Sequence, residues 1–189
     1  LPVGDYTLEY CALEVGPLSI DIGGNINSDG VPRDRENHPP RYFVEIRKDK
    51  PFTFELLTKP DVLFASPAKD ARVKPGDTLS VSANLLDTVR DLAMSQIYDS
   101  RRKVTIGGFP MAAPLTAEVK ILDSSGNLVT GGKLPFHSLA YPGFKWAVPD
   151  TFQPKDSRET LTITVTYDTL EAFGKIESSR EIIVEAGSK

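Results

Sequence analysis

The C-terminal third of the chain alternates apolar and polar residues with a period of two. Residues 117–122 put Ala117, Val119 and Ile121 in one phase and Glu118 and Lys120 in the other. Asp123-Ser124-Ser125-Gly126-Asn127 then supplies turn residues. Residues 161–167 alternate again, with Leu161, Ile163, Val165 and Tyr167 set against Thr162, Thr164 and Thr166. A last apolar run covers residues 182–184. Period two between turn-rich punctuation predicts half-buried strands of an antiparallel sandwich. The same rhythm runs through residues 78–85, where Leu79, Val81, Ala83 and Leu85 share a phase after the turn Lys74-Pro75-Gly76-Asp77. Leu79, Val81, Val119, Ile121, Ile163 and Val165 are therefore expected to line one interior.

The first part of the chain, residues 1–58, reads as a small β-sheet segment. Residues 6–10, 18–22, 42–46 and 52–56 alternate, the last two being joined by residues 47–51. A polar stretch rich in Gly, Asn, Asp and Pro occupies residues 23–41. Four short strands enclose a thin core, so this segment is expected to pack on the second domain, residues 59–189. Within that second domain, residues 87–98 break the β rhythm. Val89, Leu92, Ala93 and Ile97 recur at helical spacing behind Asp87, a fair N-cap, which predicts one short helix. Residues 100–114 read as irregular.

Composition narrows the function classes. The 189 residues are 40% hydrophobic and 25% charged, ordinary for a globular protein. A formal net charge of −4 with dispersed Lys and Arg argues against nucleic acid, which needs a basic face. The densest basic cluster, Arg101-Arg102-Lys103, reads as a solvated loop or strand end. No apolar stretch approaches the ~20 residues of a membrane-spanning helix. Cys11 is the single cysteine, so no intrachain disulfide forms, and it reads as a small hydrophobe in a strand. The chain opens on Leu1 rather than Met, which points to a processed product.

Several segments carry a resemblance. Pro75-Gly76-Asp77 before an alternating strand, the turn Leu122-Asp123-Ser124-Ser125-Gly126-Asn127 and the alternating C-terminal hairpin resemble immunoglobulin-like and fibronectin-type-III-like sandwiches. Phe144-Lys145-Trp146-Ala147-Val148-Pro149 and Gly4-Asp5-Tyr6 resemble segments of exported bacterial proteins that join a short N-terminal β segment to such a domain. The resemblance implies an all-β, antiparallel immunoglobulin-like fold and an extracellular or periplasmic location. It implies no activity.

The sharpest chemical motif is Asn25-x-Asn27-x-Asp29-Gly30-x5-Glu36, close to the calcium-loop pattern. Side-chain oxygens of Asn25, Asn27, Asp29 and Glu36 and the backbone carbonyl of Val31 could converge on one cation while Gly30 makes the sharp turn. Asn25 replaces the usual Asp, Arg33 brings a repelling cation, and the strand-like flanks are not those of an EF-hand. The competing reading is a plain Asn/Asp/Gly surface loop.

Other chemistry is weaker. His38 and His137 are the two histidines, no G-x-S-x-G occurs, and no zinc framework is spelled. Asp34/Glu36 and Asp168/Glu171 are ordinary surface carboxylate pairs. Gly107-Gly108 and Gly131-Gly132 lack phosphate-loop spacing. Tyr141, Phe144 and Trp146 suggest a sugar-stacking platform, although Trp146 beside Val148 reads better as core. The expectation is a non-catalytic interaction or scaffold module, with a protein or glycan partner and no obligatory cofactor. The alternative is a carbohydrate-binding or accessory module of a secreted hydrolase.

The calcium motif has a direct test. With two carboxylates at most, affinity is expected on the order of 10⁻⁴–10⁻³ M. A thermal melt in ~10 mM calcium against chelator then shows a stabilisation of about 1.4 kcal/mol at ten times Kd. Asp29→Ala abolishes the shift; an unshifted wild type removes the site.

Overall fold

The computed structural model describes residues 2–7, 10–23, 43–50, 60–87, 92–135, 143–169 and 172–186. Among these residues the strands are β1 (Gly4–Thr7), β2 (Tyr10–Val15), β3 (Leu18–Gly23), β4 (Phe43–Ile46), β5 (Pro60–Ser66), β6 (Arg72–Val73) and β7 (Thr78–Asp87). They continue with β8 (Leu92–Ile106), β9 (Phe109–Pro114), β10 (Thr116–Leu122), β11 (Leu128–Pro135), β12 (Phe144–Ala147), β13 (Arg158–Asp168) and β14 (Lys175–Glu185). A turn of 3₁₀-helix, Lys155–Ser157, is the remaining regular element described.

The strands form a sandwich of mainly antiparallel sheets. One sheet has the order β11-β10-β13-β14-β6. The other runs β12-β7-β8-β3-β2, with β5 also on β7 and β9 also on β8. β1 and β4 make a separate ladder, so β4 finds its described partner in β1. β6 lies parallel to β14 over Ile183↔Arg72 and Val184↔Val73; every other ladder between named strands is antiparallel.

The core forms where the apolar phases of the two sheets meet. The six residues expected inside are all present there, none more than 2% exposed. β13 contributes Leu161, Ile163, Val165 and Tyr167 to the same cluster. Burial pushes the Tyr167 hydroxyl well above the usual tyrosine range, because the phenolate cannot be solvated there. Cys11 is half-buried and packs against this core.

Two turns show why particular residues are needed. Lys74-Pro75-Gly76-Asp77 closes by donation from the Lys74 amide to Asp77 Oδ2. Gly76 sits at φ 89°, and a Cβ there would meet Asp150 Oδ1 at 2.8 Å. Between β10 and β11, Asp123 Oδ1 accepts from the Ser125 and Asn127 amides, both at 2.8 Å. Those donors favour the charged carboxylate, and Asp123 is held below the usual carboxylate range, first by the Asn127 side chain.

The helix expected near residues 87–98 does not form in its described part: Asp87 closes β7 and residues 92–98 lie in β8, while Val89 lies outside the described residues. The strand itself carries a break in its alternation. β8 pairs Ile22↔Met94 and then Asp21↔Gln96, so Ser95 is an extra residue in the ladder. A bulge changes the inward period from two to three at that point. Met94 and Ile97 consequently both reach the core, three residues apart, as they would on a helix.

Residues before the expected domain boundary also build the sheet. β2 and β3 form a hairpin, and β3 pairs with β8 over Leu18↔Asp99 through Gly23↔Ala93. Leu18, Ile20 and Ile22 share one core cluster with Val81 and Val184. The boundary itself, between residues 58 and 59, lies outside the described residues.

One cation faces inward. Arg180 occupies the buried phase of β14, between Ser178 and Ile182, opposite Ile163. Its Nη1 donates to the Pro67 carbonyl at 2.6 Å and to the Phe64 carbonyl at 3.4 Å. The guanidinium lies 4.8 Å over the Phe64 ring. Arg180 thus ties β14 to the end of β5 across the sandwich.

Two stability changes are expected in urea melts. Ile163→Ala removes a fully buried side chain and costs about 2–5 kcal/mol; a loss below ~1 kcal/mol would remove Ile163 from the core. Arg180→Ala removes the Nη1 donor from both carbonyls and costs about 1–3 kcal/mol. Arg180→Lys keeps the charge but lacks the planar fork, so it recovers only part of that loss.

Candidate functional site

β8 is held on both sides only along its first half. Met94 pairs with both Leu85 and Ile22, and β3 accompanies β8 as far as Leu18↔Asp99. Beyond Asp99, β8 has one described ladder partner, β9. The pairs Lys103↔Ala112, Val104↔Met111, Thr105↔Pro110 and Ile106↔Phe109 extend as a two-stranded arm, roughly 13 Å long at the usual rise per residue.

The tip is a two-residue turn, Gly107-Gly108. Their φ angles of 59° and 86° are the left-handed pair that a tight hairpin needs. At the root, Asp99 pairs Ala113 and Lys103 pairs Ala112, so residues 100–102 bulge from the ladder. Asp99 is buried, and its Oδ1 accepts from the Arg101 amide at 3.0 Å and from Arg101 Nε at 3.2 Å. The Ser100 amide and hydroxyl both donate to the Pro17 carbonyl at 2.9 Å. The bulge is therefore pinned to the β2–β3 turn, and the arm leaves the sheet from a fixed point.

The surface of the arm is segregated. Val104 and Met111 are opposite each other, and Phe109 lies two residues from Met111, so Phe109 and Met111 share a face. Phe109 is 73% exposed and Met111 47%. Lys103 and Ala112 occupy the other face. Residues 104–117 contain no charged side chain, while Arg101, Arg102 and Lys103 immediately precede them. Arg101 is paired with Asp99; Arg102 and Lys103 are exposed and make no described ion pair. The result is an uncharged tip behind a cationic collar.

Nothing in the hairpin geometry requires an aromatic at Phe109. The turn needs only Gly107 and Gly108. Single exposed apolar residues are ordinary, whereas Phe109 and Met111 are two on one face of the hairpin. In the sequence Arg101-Arg102-Lys103 stands out as a cluster, whereas Phe109 and Met111 do not. The available signal was the Gly-Gly pair flanked by Ile106 and Phe109 within an uncharged run.

Other candidates carry less. Lys155 Nζ lies 3.0 Å from Ser125 Oγ and 3.9 Å from Glu159 Oε1. Lys155 is more than half exposed and ion-paired, so it is a solvated cation, and the cluster serves to close the β10–β11 turn. A groove of about 350 Å³ runs along β10 and β11 between Glu118, Lys120, Leu128 and Lys133. Gly131 forms part of its floor, where a Cβ would meet the Val119 carbonyl at 2.8 Å.

The expected site residues fall as follows. Asn25, Asn27, Asp29, Val31 and Glu36 lie outside the described residues, as do His38, His137, Tyr141, Asp34 and Glu171. Asp168 is exposed at the end of β13. Trp146 is 8% exposed, opposite Leu79, with Phe152 set edge-on at 6.0 Å. Its ring offers no face to a sugar. Among the described residues no group of three His, Cys, Asp or Glu side chains is placed to hold a metal. No described helix is long and apolar enough to cross a membrane. No protein-family model and no curated protein matches the chain.

Proposed function

We propose that the chain is a non-catalytic interaction module of an exported bacterial protein, with an immunoglobulin-like sandwich that presents the β8–β9 arm to a partner. The observation that carries this reading is the exposed Phe109–Met111 face at the end of a pinned hairpin. Stability and recognition are physically separate in it. The core draws on the inward phases of both sheets, whereas Phe109 and Met111 belong to no core cluster. A rigid scaffold with its apolar anchors displaced onto a projection suits docking, because few side chains need ordering on contact.

Two measurements test this separation. Phe109→Ser combined with Met111→Ser is expected to change the unfolding free energy by less than about 0.5 kcal/mol. A photo-reactive phenylalanine at position 109, irradiated in an envelope fraction of the source cells, is expected to give a discrete adduct. The same group at Tyr10, 61% exposed and distant in the fold, is expected to give none. Equal labelling from both positions, or a stability loss above ~2 kcal/mol in the double variant, overturns the reading.

A further inference from the structure

We infer that the partner of the arm is the surface of an anionic lipid bilayer, which the tip enters at the acyl–headgroup boundary; this rests on the arm being the interaction surface. Three observations favour lipid over a protein.

The first is spacing along the arm. Lys103 pairs with Ala112, three residues past Phe109 along β9, which sets the cationic collar about 10 Å behind the aromatic. A bilayer has a hydrocarbon core of about 30 Å and a total thickness of ~40–45 Å, leaving roughly 5–7 Å of headgroup on each side. When Phe109 reaches the acyl boundary, Lys103 and Arg102 stand about 3–5 Å beyond the outer edge of the headgroups. There they lie within the ~10 Å range over which charges act at moderate salt. Their long side chains can lean toward phosphate while their stems stay on the hairpin.

The second is the chemistry of the intervening segment. Residues 104–112 hold no charge, so nothing between the tip and the collar opposes entry into the interface. The backbone sets the depth. The outer edges of a two-stranded arm keep unpaired N–H and C=O groups, which the hydrocarbon core does not tolerate. Insertion therefore stops at the turn, at interfacial depth.

The third concerns the alternative. A protein partner that added a strand to β9 would meet Pro110 and Pro114, which remove two backbone donors from a six-residue edge. A protein pocket for the tip alone would bury far less than the ~800 Å² per partner of a stable interface. A bilayer needs no pocket and accepts a convex tip. The collar also supplies the local positive charge that a chain of net charge −4 needs to approach an anionic surface.

The test is sedimentation of the full chain with large unilamellar vesicles, either pure phosphatidylcholine or 70:30 phosphatidylcholine to phosphatidylglycerol. Binding is expected on the mixed vesicles and weak on the neutral ones. Arg102→Gln with Lys103→Gln is expected to weaken binding about 25- to 30-fold, near fivefold per charge. Phe109→Ser is expected to weaken it about tenfold, and Phe109→Trp to preserve it with a blue-shifted emission on vesicle addition. Unchanged far-ultraviolet circular dichroism and melting of each variant confirm an intact fold. A wild type that stays in solution with mixed vesicles at low salt overturns the lipid partner, as does binding that survives Phe109→Ser. In that event a discrete protein adduct from position 109 keeps the interaction module and puts a protein in the place of the lipid. Loss of both vesicle binding and adduct removes the module reading as well.

Discussion

Burial of one face of β13 is the constraint on which the rest of the sandwich depends. β13 lies between β10 and β14 with its ladders filled on both sides. Leu161, Ile163, Val165 and Tyr167 are fully buried on its inner face, and a slip of one residue would exchange them for Thr162, Thr164 and Thr166. The register of β10 and β14 follows from that of β13. The opposite sheet then has to present a matching apolar surface, which β7 and β3 supply with Leu79, Val81, Leu85, Ile20 and Ile22. The outer face of β13 has no such burden. It carries hydroxyls that bond across the ladder, Thr164 to Ser179 at 3.1 Å and Thr166 to Glu177 at 2.7 Å.

Arg180 departs from this logic in an instructive way. It stands in the inward phase of β14, where an apolar residue would be the default. Withdrawing a charge from water is costly, and half-buried Arg180 offsets part of that cost through its Nη1 bonds to the carbonyls of Phe64 and Pro67 and its place over the Phe64 ring. The arginine does what an aliphatic residue cannot: it fixes where β5 ends relative to β14 through directional bonds. The same principle operates at Asp99. Its buried carboxylate accepts from the Arg101 amide, which belongs to the bulge that launches the arm. Polar groups in this fold mark the places where a strand stops being ordinary sheet.

Legibility in the sequence followed the regularity of the strands. β10, β13 and the first half of β7 keep strict alternation, so Leu79, Val81, Val119, Ile121, Ile163 and Val165 can be assigned to one interior from residue types alone. β8 breaks its rhythm twice, at Ser95 and again over residues 100–102. Leu92, Ala93 and Ile97 fall at helical spacing along it and the second break hides the arm, so the chain here spells no plain strand rhythm. Arg180 was illegible for another reason. Its partners are more than one hundred residues away in sequence, and nothing local in β14 announces them. For the arm, the Gly107-Gly108 turn was readable in principle, but projection beyond the sheet is a property of what β3 fails to accompany. No local pattern encodes that.

A two-stranded arm with an apolar face is also a hazard, since exposed edges and uncharged strands invite self-association. The features already described answer it. Pro110 and Pro114 remove donors from the free edge, and the bulge at residues 100–102 interrupts the continuity of β8. Arg102 and Lys103 place like charges at the root of every copy, so two arms that approach each other side by side repel. What remains is an element that is poor at pairing with its own kind yet keeps Phe109 and Met111 outside. Devices that block strand addition but leave side-chain contact open are what the proposed docking through the tip requires.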